Sequence, residues 1–249
     1  MSLSSNSVIH FTNDINSLKG ILRDNFKITF CNEKIILDAS TIKIQVPMVS
    51  FCDIPLSKIK EHIGKYGNYG IGLTKEWAQR KRLNPVLYVE TKSYLAESLR
   101  ISMLNSLNDI KSDSNILTQK QKQVIDILRY LKNYQTDLTR KGNIIPNYRF
   151  SDEREWRYVP DINEECEFIL TGHKDTISTK EMEKANLSLS NLKLEFEPND
   201  IKYIIIENED EITDFINILR NDKGKKFSYH DIDRLTTRFI TVEQIKTDF

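Results

Sequence analysis

Glu153-Arg154-Glu155-Trp156-Arg157 sets two carboxylates and two guanidinium groups within five residues. In an extended chain, alternation sends Glu153, Glu155 and Arg157 to one face and Arg154, Trp156 and Tyr158 to the other. Carboxylates two residues apart on a strand lie about 7 Å from each other. Their repulsion can raise one pKa, or the pair can hold a cationic transition state while Arg157 relieves the excess charge. The same pattern also suits a solvated strand face closed by a cross-strand ion pair.

His10 is a second candidate, within Val8-Ile9-His10-Phe11-Thr12. This short strand hands over to a helix on Ile15, Leu18, Ile21 and Leu22, with Thr12 or Asn13 as the cap. His10 then stands two residues from unpaired backbone N–H groups. Packing into an apolar core is the competing role for a lone histidine. The third candidate is Gly64 to Trp77, GKYGNYGIGLTKEW, which holds four of the eight glycines within nine positions, with Tyr66 and Tyr69 between them. A phosphate loop needs Gly-Lys followed by Ser or Thr, and here Tyr66 follows Gly64-Lys65. A dinucleotide fingerprint needs a strand ahead of its glycines, and the order here is wrong. What stays open is a strand from Tyr69 to Leu73 whose Gly70 and Gly72 bare one face, either for a flat ring or for a neighbouring strand.

Other chemistries lack their residues. His62, His173 and His230 sit in polar contexts, and no HExxH or cysteine cluster offers a metal site. Neither a GxSxG turn nor a papain-like cysteine supports a nucleophilic triad. Cys31, Cys52 and Cys166 are far apart, which fits reduced thiols in a cytoplasmic protein. The 36 basic and 36 acidic residues cancel, so net charge gives no indication of nucleic-acid binding. No apolar run approaches a membrane span, and MSLSSNSVIHF lacks the features of a signal peptide.

The elements that must position these residues read as α+β. Residues 26–46 look irregular or weakly stranded, and Pro47 to Asp53 is a strand between Pro47 and Pro55. A short helix follows from Leu56 to Ile63, then the glycine strand, a helix capped by Thr74, and a strand from Val86 to Val89. Leu95, Leu99, Met103 and Leu107, then Val124, Ile127, Leu128 and Leu131, recur at helical spacing. They predict an antiparallel helix pair joined by the polar linker 111–115. Arg149 to Val159 is a strand, followed by a polar stretch to about Asn191. Ile201 to Ile206 is a central strand, Asp210 to Leu219 a helix, Arg238 to Ile240 a strand and Val242 to Phe249 a closing helix. The expectation is one mixed-sheet α+β domain over 1–249 with a helical-hairpin insertion at about 93–142.

Three segments taken together resemble the AbiGi family of abortive phage resistance proteins, some of them described as antitoxins. They are Val8 to Thr12 with its helix, Pro47 to Pro55, and Tyr66 to Leu73 with Trp77 and Asn84-Pro85-Val86. Thr236 to Thr241 with Glu243-Gln244-Ile245 also fits, so the resemblance covers most of the chain. It implies a role in phage defence and, for an antitoxin, a cognate toxin or other defence protein as partner. Exposed apolar residues on the helix pair, Leu95 to Leu138, would form that interface. A more distant resemblance is to the ADP-ribosyltransferase layout. It implies NAD as co-substrate, held by His10, Thr12, Tyr69 or Tyr66, and Arg157. Glu155 or Glu153 would then stabilise the oxocarbenium-like ribose as the nicotinamide bond breaks. The helical insertion stretches the spacing between the tyrosine strand and the glutamate strand. Binding and catalysis therefore compete as readings.

Overall fold

The computed structural model describes residues 5–107, 118–140, 142–161, 169–170, 178–223 and 227–248. Its first elements are β1 (Ser7–Thr12), α1 (Ile15–Asp24), β2 (Phe26–Lys27), β3 (Thr29–Leu37) and β4 (Ser40–Cys52). Next come α2 (Lys60–Tyr66), β5 (Tyr69–Thr74), α3 (Lys75–Arg80), β6 (Asn84–Pro85) and β7 (Leu87–Val89). The middle holds α4 (Tyr94–Leu107), α5 (Gln119–Arg129), β8 (Leu131–Asn133), β9 (Gln135–Arg140), β10 (Asn143–Arg149), β11 (Glu155–Tyr158) and β12 (Ile169–Leu170). The last part holds α6 (Thr179–Ser188), β13 (Lys193–Leu194), β14 (Ile201–Ile206), α7 (Ile212–Ile218), α8 (Tyr229–Thr236), β15 (Phe239–Thr241) and α9 (Val242–Asp248). The class is α+β with a mixed main sheet. Among the described residues no helix is long and apolar enough to cross a membrane.

Two compact units divide the chain. The first comprises Met1–Ile28, Val49–Asn84 and Asn191–Phe249, and the second Thr29–Met48 and Pro85–Ser190.

In the first unit the strands run in the order β15-β14-β5-β1, and β1 also meets the end of β4 where Ile9 lies opposite Cys52. β14 and β15 are parallel, while the other pairs are antiparallel. Ile201 to Ile206 forms a strand as its β-branched run predicts, with Ile204, Ile205 and Ile206 fully buried. Asp14, rather than Thr12 or Asn13, caps α1. Its two carboxylate oxygens accept from the N–H groups of Asn16 and Ser17, whereas the Thr12 hydroxyl accepts from Asp14 N–H. Thr74 caps α3 as expected, through Trp77 N–H. The helix expected from Leu56 to Ile63 is instead a 3-10 turn, Leu56–Lys58, followed by α2.

The bare face of β5 is filled by the protein's own rings. A side chain at Gly72 would meet the Tyr203 ring at 2.8 Å, and one at Gly70 would meet the Phe11 ring at 3.2 Å. Gly67, at φ +124°, turns the chain so close to β1 that an added Cβ would lie 2.3 Å from Thr12 O.

In the second unit, β3 and β4 form a long antiparallel hairpin from Thr29–Met48 to Leu37–Ser40. Of the two readings of 26–46, the stranded one holds, and the strands are long rather than weak. The tight turn is made by Asp38 at φ +53°, held by its N–H to Thr91 O, and no Asn-Gly or Asp-Gly pair marks it. Ile35, Leu37, Ile44, Val46 and Met48 of this hairpin pack with Met103 of α4 and with Leu128 and Leu131. Thr118 and Gln121 close a capping box at the start of α5. Helical structure ends at Arg129, and residues expected to continue it form β8, parallel to β7, and then the β9–β10 hairpin. Leu131 and Leu138 kept a helical spacing, but hydrogen bonding to β7 and β10 overrides it. The predicted linker 111–115 lies outside the described residues. So does most of the polar stretch after Val159, apart from β12 and α6.

Candidate functional site

The strand expected from Arg149 to Val159 is interrupted. Phe150 to Glu153 is a 3-10 turn and Arg154 is left-handed at φ 46°, so β11 begins only at Glu155. The break turns the charged face inward. Glu153, Glu155 and Arg157 are buried, while Arg154, Trp156 and Tyr158 are half-buried. A solvated charged face is therefore not what forms.

Arg157 is fully buried and grips Glu155 with two bonds, Nε to Oε1 at 2.7 Å and Nη2 to Oε2 at 3.1 Å. The same Nη2 lies 3.1 Å from Glu33 Oε1, and Nη1 donates to Arg129 O at 2.8 Å. Lys132 Nζ sits 3.4 Å from both Glu33 Oε1 and Glu155 Oε2, and 4.9 Å above the Phe150 ring. Two anions and two cations thus close on one another. Burial alone would push the Glu155 carboxyl up, but Arg157 and Lys132 outweigh it and hold it down at about 2. Burial opposes the charges of Arg157 and Lys132 as well, and the two glutamates prevail, so both groups are held above their usual values. Glu153 Oε1 accepts from the Tyr148 hydroxyl at 3.0 Å, and its charge also acts on Lys132. The Tyr88 hydroxyl accepts from Glu155 N–H at 2.9 Å, which pins the start of β11. Chemically this is a closed set of paired charges, in which Arg157 and Lys132 keep the Glu155 carboxyl anionic near neutral pH.

The remaining predicted residues belong to the first unit. Register places Thr12 opposite Tyr69 and His10 opposite Ile71, so His10, Thr12 and Tyr69 share one face of the sheet. His10 Nδ1–H donates to Ser50 O at 2.8 Å, which leaves Nε2 as the acceptor of the neutral ring. Edge-on contacts to Phe26 at 5.3 Å and Phe51 at 5.7 Å surround it. Burial holds the imidazole below its ordinary pKa, although the Ser50 carbonyl partly offsets this. The Tyr69 hydroxyl donates to Glu211 Oε1 at 2.7 Å and lies 3.2 Å from Glu207 Oε2. Burial, then these two acceptors, raise its pKa. Tyr66 is the last residue of α2, half-buried, one residue before the Gly67 turn.

Sequence reasoning missed Glu33, Lys132, Glu207 and Glu211. Glu33 and Lys132 are separated by 99 residues, and no local spacing links either to Glu155. Among the described residues no group of three or more His, Cys, Asp and Glu side chains could hold a metal ion. Cys31 and Cys52 are in no disulfide, and burial and then Glu33 push the Cys31 thiol up. Cys166 and His173 lie outside the described residues.

Comparison with known proteins bears on residues of both units. Residues 24–207 match the family model described as "Putative abortive phage resistance protein AbiGi, antitoxin". Over 225 residues the chain is 31% identical to the abortive phage resistance protein AbiGi of Lactococcus lactis subsp. cremoris, covering 82% of this chain and 89% of that protein. No solved structure matches. The glycine strand, the Pro47 to Pro55 segment and the Glu-x-Glu-Trp-Arg strand all fall within the matched span, and the chain belongs to the AbiGi family.

Proposed function

We propose that this protein is the partner-binding, antitoxin-type component of an abortive phage resistance pair and acts by holding a protein toxin. The observation that carries this reading is the apolar surface of the second unit. Of the exposed large apolar side chains among the described residues, all but Tyr229 belong to that unit, including Tyr94, Ile101, Ile127, Ile144 and Ile145. Apolar side chains gathered on one part of a surface mark an interaction site more often than scattered ones do. The family's description as an antitoxin supports the same reading. Co-expression with the product of the neighbouring gene tests it. The expected result is one stable complex on size-exclusion chromatography and relief of growth arrest. A neighbouring toxin that elutes alone and still arrests growth would sink it.

A catalytic reading has one observation of its own. His10, Thr12 and Tyr69 share a sheet face of the first unit, on which an NAD-using transferase of the ADP-ribosyltransferase type would hold its co-substrate. Partner binding is preferred because both oxygens of Glu155 are taken by Arg157 and Lys132, and the Tyr69 hydroxyl is taken by Glu211. Nicotinamide release from NAD by the purified chain, absent from a heat-inactivated control, would reverse that preference.

A further inference from the structure

We infer that the outer face of α4 is the docking helix of this protein, received by an apolar, largely uncharged groove on the toxin; this rests on the antitoxin reading above. α4 is apolar on two opposite sides. Ala96 and Met103 are buried, with Leu99 packed beside them. At 100° per residue Tyr94 and Ile101 point the other way, and they are 91% and 45% exposed. Leu95, expected to lie on the buried stripe, is instead 56% exposed, and Leu104 flanks Ile101 at 37%. Ser98 and Asn105 lie between these residues, exposed and uncharged, and Glu97 is the one charge on the strip. Arg100 lies off the strip, 3.6 Å from Asp38. A helix packed on one side only normally turns charged residues outward. This one offers two apolar anchors one heptad apart, the spacing read when a helix lies in a groove.

A second copy of this chain fits less well as the occupant. Two concavities in the first unit are polar, one lined by Lys19, Arg23, Asp214 and Asp222, the other by Arg80, Lys81, Glu195 and Asp200. Neither offers an apolar groove. A symmetric pairing of α4 with α4 would bury a single face of a 14-residue helix on each copy, well short of the roughly 800 Å² per partner of a stable interface. A separate protein whose groove also covers the helix flanks, with a basic residue at its rim opposite Glu97, supplies the missing area.

The test is calorimetric titration of the full chain with the product of the neighbouring gene. Wild type is compared with Tyr94→Asp/Ile101→Glu and with Tyr229→Asp on α8, an exposed residue of the first unit. The double variant should bind on the order of 100-fold more weakly, with its thermal midpoint and sedimentation coefficient unchanged, while Tyr229→Asp stays within about twofold. Should the double variant misfold, the milder Tyr94→Ser/Ile101→Ser decides, with an expected loss on the order of tenfold. Wild-type affinity in a folded double variant overturns the inference and leaves the antitoxin reading standing. So does a wild-type dimer that the variant converts to monomer without loss of toxin affinity. No binding by the wild type ends both.

Discussion

In the first unit aromatic rings close around one histidine, whereas in the second unit four charges are buried together. Phe26 and Phe51 meet His10 edge-on, and Trp77, fully buried, packs on both phenylalanines with its Nε1–H bonded to Glu195 O. That unit also holds separate ion pairs, Arg80 beside Asp200 with Arg80 55% exposed, and Lys75 at 2.6 Å from the buried Asp53. In the second unit Glu33, Lys132, Glu155 and Arg157 form an ion cluster in addition to the apolar core on the β3–β4 hairpin, and further apolar side chains are exposed. The contrast is instructive because a buried ion cluster adds little stability over an apolar one, yet losing one member is costly. Such a cluster fixes which strands lie beside which. The first unit thus resembles an ordinary packed core, while the second adds a four-charge cluster to its apolar core and keeps further apolar side chains on its surface.

Three substitutions can break or sharpen this contrast. The largest effect is expected from Arg157→Met, which leaves Glu33 and Glu155 with only Lys132. Urea unfolding should show a loss of about 3–5 kcal/mol, and amide exchange should rise at β3, β8 and β11. A loss below about 1 kcal/mol would mean that water already reaches the cluster, and the contrast would dissolve. Gly67→Ala comes next, in the first unit. The left-handed backbone and the approach to Thr12 O predict a cost of about 2–3 kcal/mol, measured by the same unfolding curves; a neutral result would show that the Gly67 turn relaxes.

His10→Asn should have the smallest effect, because the amide can still donate to Ser50 O. Its signature is pH dependence. The folded-state pKa of His10 lies below its unfolded value near 6.5, so its contribution is complete above about pH 6.5 and shrinks as pH falls toward the folded value. Stability of the wild type should therefore decline below about pH 6.5 with a slope of at most about 1.4 kcal/mol per unit. The variant should be flatter over this range. Glu155 is also depressed, but its contribution is complete above about pH 4.5 and is lost as pH falls toward about 2. Equal slopes for wild type and variant between pH 7 and 5 would remove His10 from the account.

What was legible in the chain follows from range. Ile201 to Ile206, Tyr69 to Thr74 and the Thr74 cap depend on residues a few positions apart, and they form as their pattern predicts. The β3–β4 hairpin was hidden because Asp38 makes its turn without a turn signature. β8 was hidden because its partner β7 lies some forty residues earlier, and parallel pairing leaves no local mark. In the candidate site, the pairing of Glu155 with Arg157 could be read from alternation. Glu33 and Lys132 could not, since distant strands bring them in.

The sequence by itself determined membership of the AbiGi family, the α+β class, and that Glu155 and Arg157 would face the same way. Tertiary structure alone decided that this face points inward. Alternation separates two faces without saying which is buried, and an arginine with two glutamates would ordinarily take the solvent side. Lys132 and the second approach of Arg157 to Glu33 neutralise the set, and only that closure, reached across 99 residues of chain, makes burial of four charges tolerable.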